Sequence, residues 1–176
     1  MKKQKKTILI LGAGTDQLFI IRTAKKMGLR VIVIDKNEKS PGFKEADFAF
    51  QESIRSIEKI FSLLDKFLKE EGEIHGVSTM GSDIPHIVAT IADYLNTPSI
   101  SKNTGELATN KFEMKKQFIK HGVYTPSFIL ANNPQEIINA FKKLGNQLVI
   151  KPLDQAGSRG VSLIDKSSDI NKLWKN

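Results

Sequence analysis

Thr7-Ile8-Leu9-Ile10-Leu11 runs into Gly12-Ala13-Gly14, and after Asp16 to Met27 and Gly28 a second apolar run, Val31-Ile32-Val33-Ile34, closes on Asp35. The first run is too short for a helix and reads as a buried strand, with the glycine pair as a tight turn. Leu18, Ile21 and Ala24 then recur on one face, so Asp16 to Met27 reads as a helix that Gly28 ends. The second run is β-branched and short, a strand again. Strand, helix and strand in this order make a βαβ unit with a right-handed crossover, which sets the two strands parallel.

Outward from that unit the alternation continues. Ser40-Pro41-Gly42 marks a loop leading to Phe48-Ala49-Phe50, and Ile54, Ile57, Phe61, Leu64 and Leu68 fall at helical spacing up to Gly72. His75 to Thr79 reads as a strand, Gly81-Ser82-Asp83 as a turn and N-cap, and Asp83 to Leu95 as a helix with Pro85 in its first turn. At Asn96-Thr97-Pro98 and the polar stretch Ser99 to Gly105 the alternation pauses, which places a domain change near Ser101. The chain thus divides into domains 1–101 and 102–176. In the second, Lys111 to Lys120 reads as a helix closed by Gly122, Phe128-Ile129-Leu130 as a strand and Pro134 to Leu144 as a helix. Gln147 to Lys151 follows as a strand, Asp154 to Gly160 as a loop, Val161 to Ile164 as a return strand, and Asp169 to Trp174 as the start of a helix. The fold class is α/β.

Composition narrows the chemistry. With 40% apolar and 26% charged residues the 176-residue chain has the profile of a globular protein rather than a disordered one. No run approaches the roughly 20 apolar residues a bilayer requires, and the start at Lys2, Lys3, Lys5 and Lys6 leads into a strand, not a signal sequence. Zero cysteines and three scattered histidines leave no disulfide framework, thiolate or soft-metal site, and a cytoplasmic address is expected. The net charge of +8 suits a polyanion, but the excess is lysine (23 Lys against 4 Arg) with few interleaved aromatics, unlike a base-reading surface. Neither a nucleic acid nor a membrane is expected as partner; a homo-oligomer is compatible with the sequence.

Two motifs could carry chemistry. Gly12-Ala13-Gly14 between strand and helix, with Asp35 closing the next strand, matches much of a dinucleotide fingerprint, but the third glycine's position is Gln17. The glycines could equally make only a sharp turn. The second motif is Leu148-Val149-Ile150-Lys151-Pro152 followed by Gln155-Ala156-Gly157-Ser158-Arg159-Gly160-Val161. Alternation puts Val149 and Lys151 on one strand face, and Pro152 keeps Lys151 extended, so its ammonium sits on a stiff support. Gly157 and Gly160 can take backbone angles closed to other residues, letting the loop turn its N–H groups toward a phosphate beside Ser158 and Arg159. A plain hairpin turn is the alternative. Against it, Lys111 opens a helix beside Asn110, where a stabilising charge would be acidic, so a cation there suggests a local task such as reaching an anion.

Asn110-Lys111 with Lys115, Gly122-Val123-Tyr124-Thr125-Pro126, Ile150-Lys151-Pro152 and Gly157-Ser158-Arg159-Gly160-Val161 together resemble the opening of the ATP-grasp domain, most closely that of the carbamoyl-phosphate-synthase-like carboxylate–amine ligases. The resemblance spans essentially the whole chain, since residues 1–101 also look like the Rossmann-like pre-ATP-grasp domain of that family, with 102–176 as a small α+β N-terminal ATP-grasp subdomain. It implies that Lys111 and Lys151 contact ATP, that Gly157, Ser158, Arg159 and Gly160 close over its phosphates, and that Gly12, Gly14 and Asp83 lie at strand ends facing a small-carboxylate cleft. The family's front domain keeps the glycine turn without generally using NAD. Its adenine-hinge acids and its magnesium-binding Glu and Asn residues come well after the glycine loop, whereas the only carboxylates after Lys151 here are Asp154, Asp165 and Asp169. The expectation is the N-terminal portion of an ATP-dependent ligase, with no metal ligand of its own, Mg2+ needed only in the full-length enzyme, and no turnover by this chain alone. A non-catalytic nucleotide-binding remnant and an NAD-binding Rossmann module stay open as alternatives.

Overall fold

A computed structural model describes residues 5–155 and 157–175. Lys2, Lys3 and Ala156, named above, lie outside the described residues. The chain forms two compact units, Met1–Ala108 and Thr109–Asn176.

The first unit is a parallel sheet of β1 (Thr7–Leu11), β2 (Arg30–Asp35), β3 (Phe48–Gln51) and β4 (Gly76–Thr79) in the order β3-β2-β1-β4. Strand alternation explains why β1 and β2 read as unbroken apolar runs, because both faces of a parallel sheet are covered. Ile10, Val31 and Val33 pack with Ile21 and Ala24 of α1 (Leu18–Lys26) on one face. Leu9, Leu11, Ile32 and Ile34 pack on the other with Ile60 and Leu64 of α2 (Ile57–Glu71) and Ile87 and Ile91 of α3 (Pro85–Tyr94). Helix α2 stops at Gly72, whose φ of +95° suits glycine.

Three local expectations change here. The first helix opens with a tight 3-10 turn, Thr15–Gln17, before α1 begins. Asp83 does not cap α3: the N-cap is Ile84, and Pro85 starts the helix. The polar stretch around Ser101 contains a helix, α4 (Lys102–Thr109), because Gly105 permits a close approach to the backbone of His86. Polar composition hid it, since the packing surface is a missing side chain rather than an apolar stripe.

In the second unit α5 (Lys111–Lys120) is capped by Asn110, whose side chain accepts the N–H groups of Phe112 and Glu113. Helix α6 (Pro134–Leu144) is capped by Asn133, whose Oδ1 accepts the Glu136 N–H while its Nδ2 donates to Glu136 Oε1 at 2.8 Å. Strands β5 (Gln147–Ile150) and β6 (Ser162–Asp165) form an antiparallel pair, and α7 (Ile170–Lys175) follows. Leu148, Ile150 and Ile164 face Ile137, Phe141 and Ile170, leaving Val149 and Leu163, directly opposite each other, on the outer face. Phe128 to Leu130 is not a strand: it pairs with no neighbour among the described residues, and Phe128 instead packs edge-on against Phe112 at 5.5 Å. An extended segment with no ladder partner has nowhere to place its hydrogen bonds as a sheet.

Candidate functional site

In the first unit, Leu11 at the end of β1 stands in register with Thr79 at the end of β4. Gly12 to Gly14 and Met80 to Asp83 therefore leave the sheet side by side at its carboxyl edge. The chain has here switched from one side of β1 to the other, the position where open α/β sheets form a crevice. Gly12, Gly14 and the half-buried Asp83 lie at this one edge.

The chemistry of that turn differs from a dinucleotide site. Gly12 donates its N–H to Ile34 O at 2.8 Å, Ala13 to Asp35 Oδ2 at 2.8 Å and Gly14 to Gln17 Oε1 at 3.0 Å. Gln17 is only 7% exposed, and its Nε2 donates to Met80 O, so one carboxamide bridges the two loops. Its Cδ packs so closely that a Cβ on Gly12 would lie 3.1 Å from it. A pyrophosphate approaching Gly12 to Gly14 would meet this side chain and N–H groups that already have acceptors. Asp35, at the place of the acid that holds a ribose hydroxyl in a dinucleotide site, holds the turn and the N–H of Asn37.

The second unit carries the cations. Lys111 donates its main-chain N–H to Leu153 O at 3.2 Å, and its ammonium to Leu153 O at 3.2 Å and Gln155 O at 2.7 Å. Lys115, one turn on along α5, donates to Pro126 O at 3.2 Å and sits 4.9 Å from the centre of the Phe128 ring. Burial, with the positive charge of Lys151 added to it, holds the Lys115 ammonium below the usual lysine range. Lys151 itself is exposed at the end of β5, beyond Val149 on the alternation that exposes residues 147, 149 and 151. Among the described residues neither Lys115 nor Lys151 has a carboxylate partner; the acid on α5, Glu113, pairs with Lys116 at 2.9 Å. Lys115 belongs to the Asn110–Lys111 motif, although the resemblance assigns contact with ATP to Lys111 and Lys151 alone. Its spacing of four from Lys111 was the available signal, since it puts both lysines on one helix face.

The glycine loop takes the backbone the motif demands. Gly157, Ser158 and Gly160 all have positive φ, +63°, +58° and +70°, and Val161 donates to Ser158 O at 3.2 Å. Left-handed geometry is costly for Ser158, by about 1 kcal/mol, and is the kind of strain found at ligand clamps. Gly160 lies against Pro152, where a Cβ would come within 2.7 Å of the ring. Ser158 and Arg159 are exposed on this loop. Among the described residues no group of three or more His, Cys, Asp or Glu side chains could hold a metal ion, and no helix is long and apolar enough to cross a membrane.

No family model matches the chain. It is 29% identical over 185 residues to a formate-dependent phosphoribosylglycinamide formyltransferase of Prochlorococcus marinus, covering 96% of this chain and 42% of that protein. Among solved structures it resembles an N5-carboxyaminoimidazole synthetase from Staphylococcus aureus complexed with ADP (TM-score 0.79, 20% identity, covering 99% of this chain and 46% of that one). It also resembles an L-amino acid ligase from Bacillus licheniformis (TM-score 0.78, 20% identity, covering 99% and 43%). These proteins are ATP-grasp carboxylate–amine ligases, the family whose motifs the residues from Asn110 to Val161 resemble. The chain spans less than half the length of the relatives it matches.

Proposed function

We propose that this chain, related to the ATP-grasp carboxylate–amine ligases, is the N-terminal portion of such a ligase and contributes its nucleotide-phosphate site. The observation that carries the reading is that Lys115, bonded to Pro126 O, and the exposed Lys151 at the end of β5 both lack a carboxylate partner among the described residues. The charge of Lys151 adds to burial in lowering the Lys115 pKa, and a bound polyanion offsets that charge. ATP fits the remaining features: the apolar outer face of Val149 and Leu163 beside Lys151 suits a base, and the strained loop Gly157 to Gly160, with Ser158 and Arg159, suits phosphates. Lys111 adds a third cation at the head of α5.

In the complete reaction a substrate carboxylate oxygen attacks the γ-phosphorus, ADP leaves, and an acyl phosphate forms. An amine, or another nucleophile such as a thiol, then attacks the acyl carbon and phosphate departs. The share of this chain is to orient the triphosphate on a stiff strand and to offset its charge with preorganised donors. Magnesium would supply further charge neutralisation; among the described residues no group of three or more His, Asp or Glu side chains is placed to hold it, and no ligand is assigned. The crevice at Gly12, Gly14 and Asp83 is assigned to the small carboxylate. Relatives named for formate and for amino acids are consistent with that substrate class. A cytoplasmic location goes with this reading.

Isothermal titration with ATP tests it. Lys151→Met is expected to weaken binding about tenfold, the effect of losing one charge-assisted contact worth ~1.4 kcal/mol. Equal affinity in the two proteins would sink the assignment of Lys151 to the nucleotide. Phosphate release by this chain with ATP and a small carboxylate is expected to stay at background.

A further inference from the structure

The resemblance gives Lys111 a single task, contact with ATP, but its bonds point to another. A lysine ammonium has three N–H donors and no acceptor. Two of the three are directed at the carbonyls of Leu153 and Gln155, 3.2 and 2.7 Å away, and the main-chain N–H of the same residue also reaches Leu153 O at 3.2 Å. Those carbonyls lie between Lys151 and the glycine loop, in a stretch with no regular secondary structure. Shortly after it, Gly157, Ser158 and Gly160 take left-handed backbone angles.

Such a segment has few packed contacts of its own and is poorly held by its own sequence. The start of α5 is, by contrast, fixed by the double Asn110 cap. We propose that Lys111 is a positioning residue that fastens the approach to the glycine loop onto the head of α5, using two ammonium donors for the loop and keeping the third for an anion. The fastening needs no nucleotide. Only the role of the third donor rests on the nucleotide reading above. The arrangement explains why a cation occupies a helix start, where the helix dipole favours an acid: the two carbonyls supply the partial negative charge that the position would otherwise seek.

The test uses the intact chain without nucleotide. An arginine-specific protease is applied to wild type, Lys111→Met, Lys111→Arg and Lys151→Met, and cleavage after Arg159 is followed by mass spectrometry. Cleavage tracks the population of the open loop, so Lys111→Met is expected to cut roughly fivefold faster or more, a ratio typical of losing one or two such bonds. Lys111→Arg can still donate to both carbonyls but adds a cleavage site at 111, so its cut after Arg159 is read as the initial rate on molecules intact at 111; that rate is expected to stay near wild type, as is that of Lys151→Met. Cleavage after Arg22 and Arg55 in the same samples reports on the first unit, and far-ultraviolet circular dichroism on the helices of the second.

If Lys111→Met disturbs the helices, the unaltered protein still decides the matter. Its Lys111 ammonium protons are expected to exchange slowly enough to give a 15N–1H signal at low temperature, while those of Lys151 are not. A wild-type cleavage rate in folded Lys111→Met, a fast rate in Lys111→Arg, or no slowed Lys111 ammonium signal would each overturn the proposal. None of these outcomes depends on ATP, so a failed ATP titration removes only the role of the third donor and leaves the fastening standing, and a failed fastening leaves the nucleotide reading standing.

Discussion

Asp35 accepts the backbone N–H of Ala13 at 2.8 Å, tying the end of β2 to the turn that follows β1. The second oxygen of the same carboxylate takes the N–H of Asn37 at 2.9 Å. The acid at the place of a ribose-binding residue is thereby a structural cross-link. Asp35→Ala is expected to lower stability by about 1–3 kcal/mol, the cost of leaving such donors unsatisfied, while Asp35→Asn, which keeps one acceptor, should lose less. Urea unfolding of the three proteins measures the difference. Equal stabilities would mean that the carboxylate holds nothing.

Gly105 packs on the start of α3 so closely that a methyl on its Cα would lie 2.7 Å from His86 Cα and 3.0 Å from Pro85 O. Neither backbone atom can yield as a flexible side chain would. Gly105→Ala should cost about 1–3 kcal/mol through overpacking, although alanine is the better helix former. Glu106→Ala, at an exposed position on the same helix, is expected to be within about 0.5 kcal/mol of wild type. Thermal unfolding of the pair separates packing from helix propensity.

The sequence told a great deal about the first unit and less about the second. Buried runs such as Thr7 to Leu11 and Val31 to Ile34 announced a doubly covered sheet, because no other arrangement hides both faces of a strand. Pro134 and Asn110 fixed helix starts to the residue, since each has a specific local role there. What escaped was set by distant partners. Gly105 is a contact only because His86 lies opposite, Phe128 to Leu130 lacks a strand to pair with, and Gln17 matters through Met80. At the proposed phosphate site, the residue types and the loop were readable from the motif. The depressed Lys115 and the carbonyl partners of Lys111 required geometry.

Asp47 bridges Lys25 and the Val31 N–H, the latter at 2.8 Å. Partial burial by itself would raise its pKa, but the bonds from Lys25 and Val31 outweigh that and hold it below the ordinary aspartate value. With the folded pKa depressed, its stabilising contribution is complete above the unfolded value of about 3.9 and is lost as pH falls through the lower folded value. Asp47→Asn should therefore lower stability at neutral pH by about 1 kcal/mol and reduce the steepness of acid unfolding. Denaturant titrations at a series of pH values from neutral to strongly acidic check this. A parallel acid profile for wild type and variant would contradict it.

Lys115 offers a direct view of the cation pair. Burial is the first cause of its lowered pKa and the charge of Lys151 the second, so Lys151→Met should move it back toward 10.5 without restoring it fully. The sign for stability is the reverse of an ion pair. The unfolded chain keeps the proton to higher pH than the folded one, so this group makes stability rise as pH passes from the folded pKa to the unfolded value. Titration of the lysine side-chain carbon resonances, with Lys115 assigned by substitution, measures the shift in both proteins. No change on removing Lys151 would show that the two ammonium groups do not interact.

In the proposed function the cations and glycine loop of the second unit hold an adenine nucleotide, while the glycine turn of the first unit holds no dinucleotide. Thermal unfolding with ATP and with NAD at matched concentrations tests both halves at once. A ligand bound only by the folded protein adds about 2.7 kcal/mol of apparent stability at a hundredfold excess over its Kd. The expected result is a rise in melting temperature with ATP, reduced in Lys151→Met, and none with NAD. A rise with NAD and none with ATP would contradict the account.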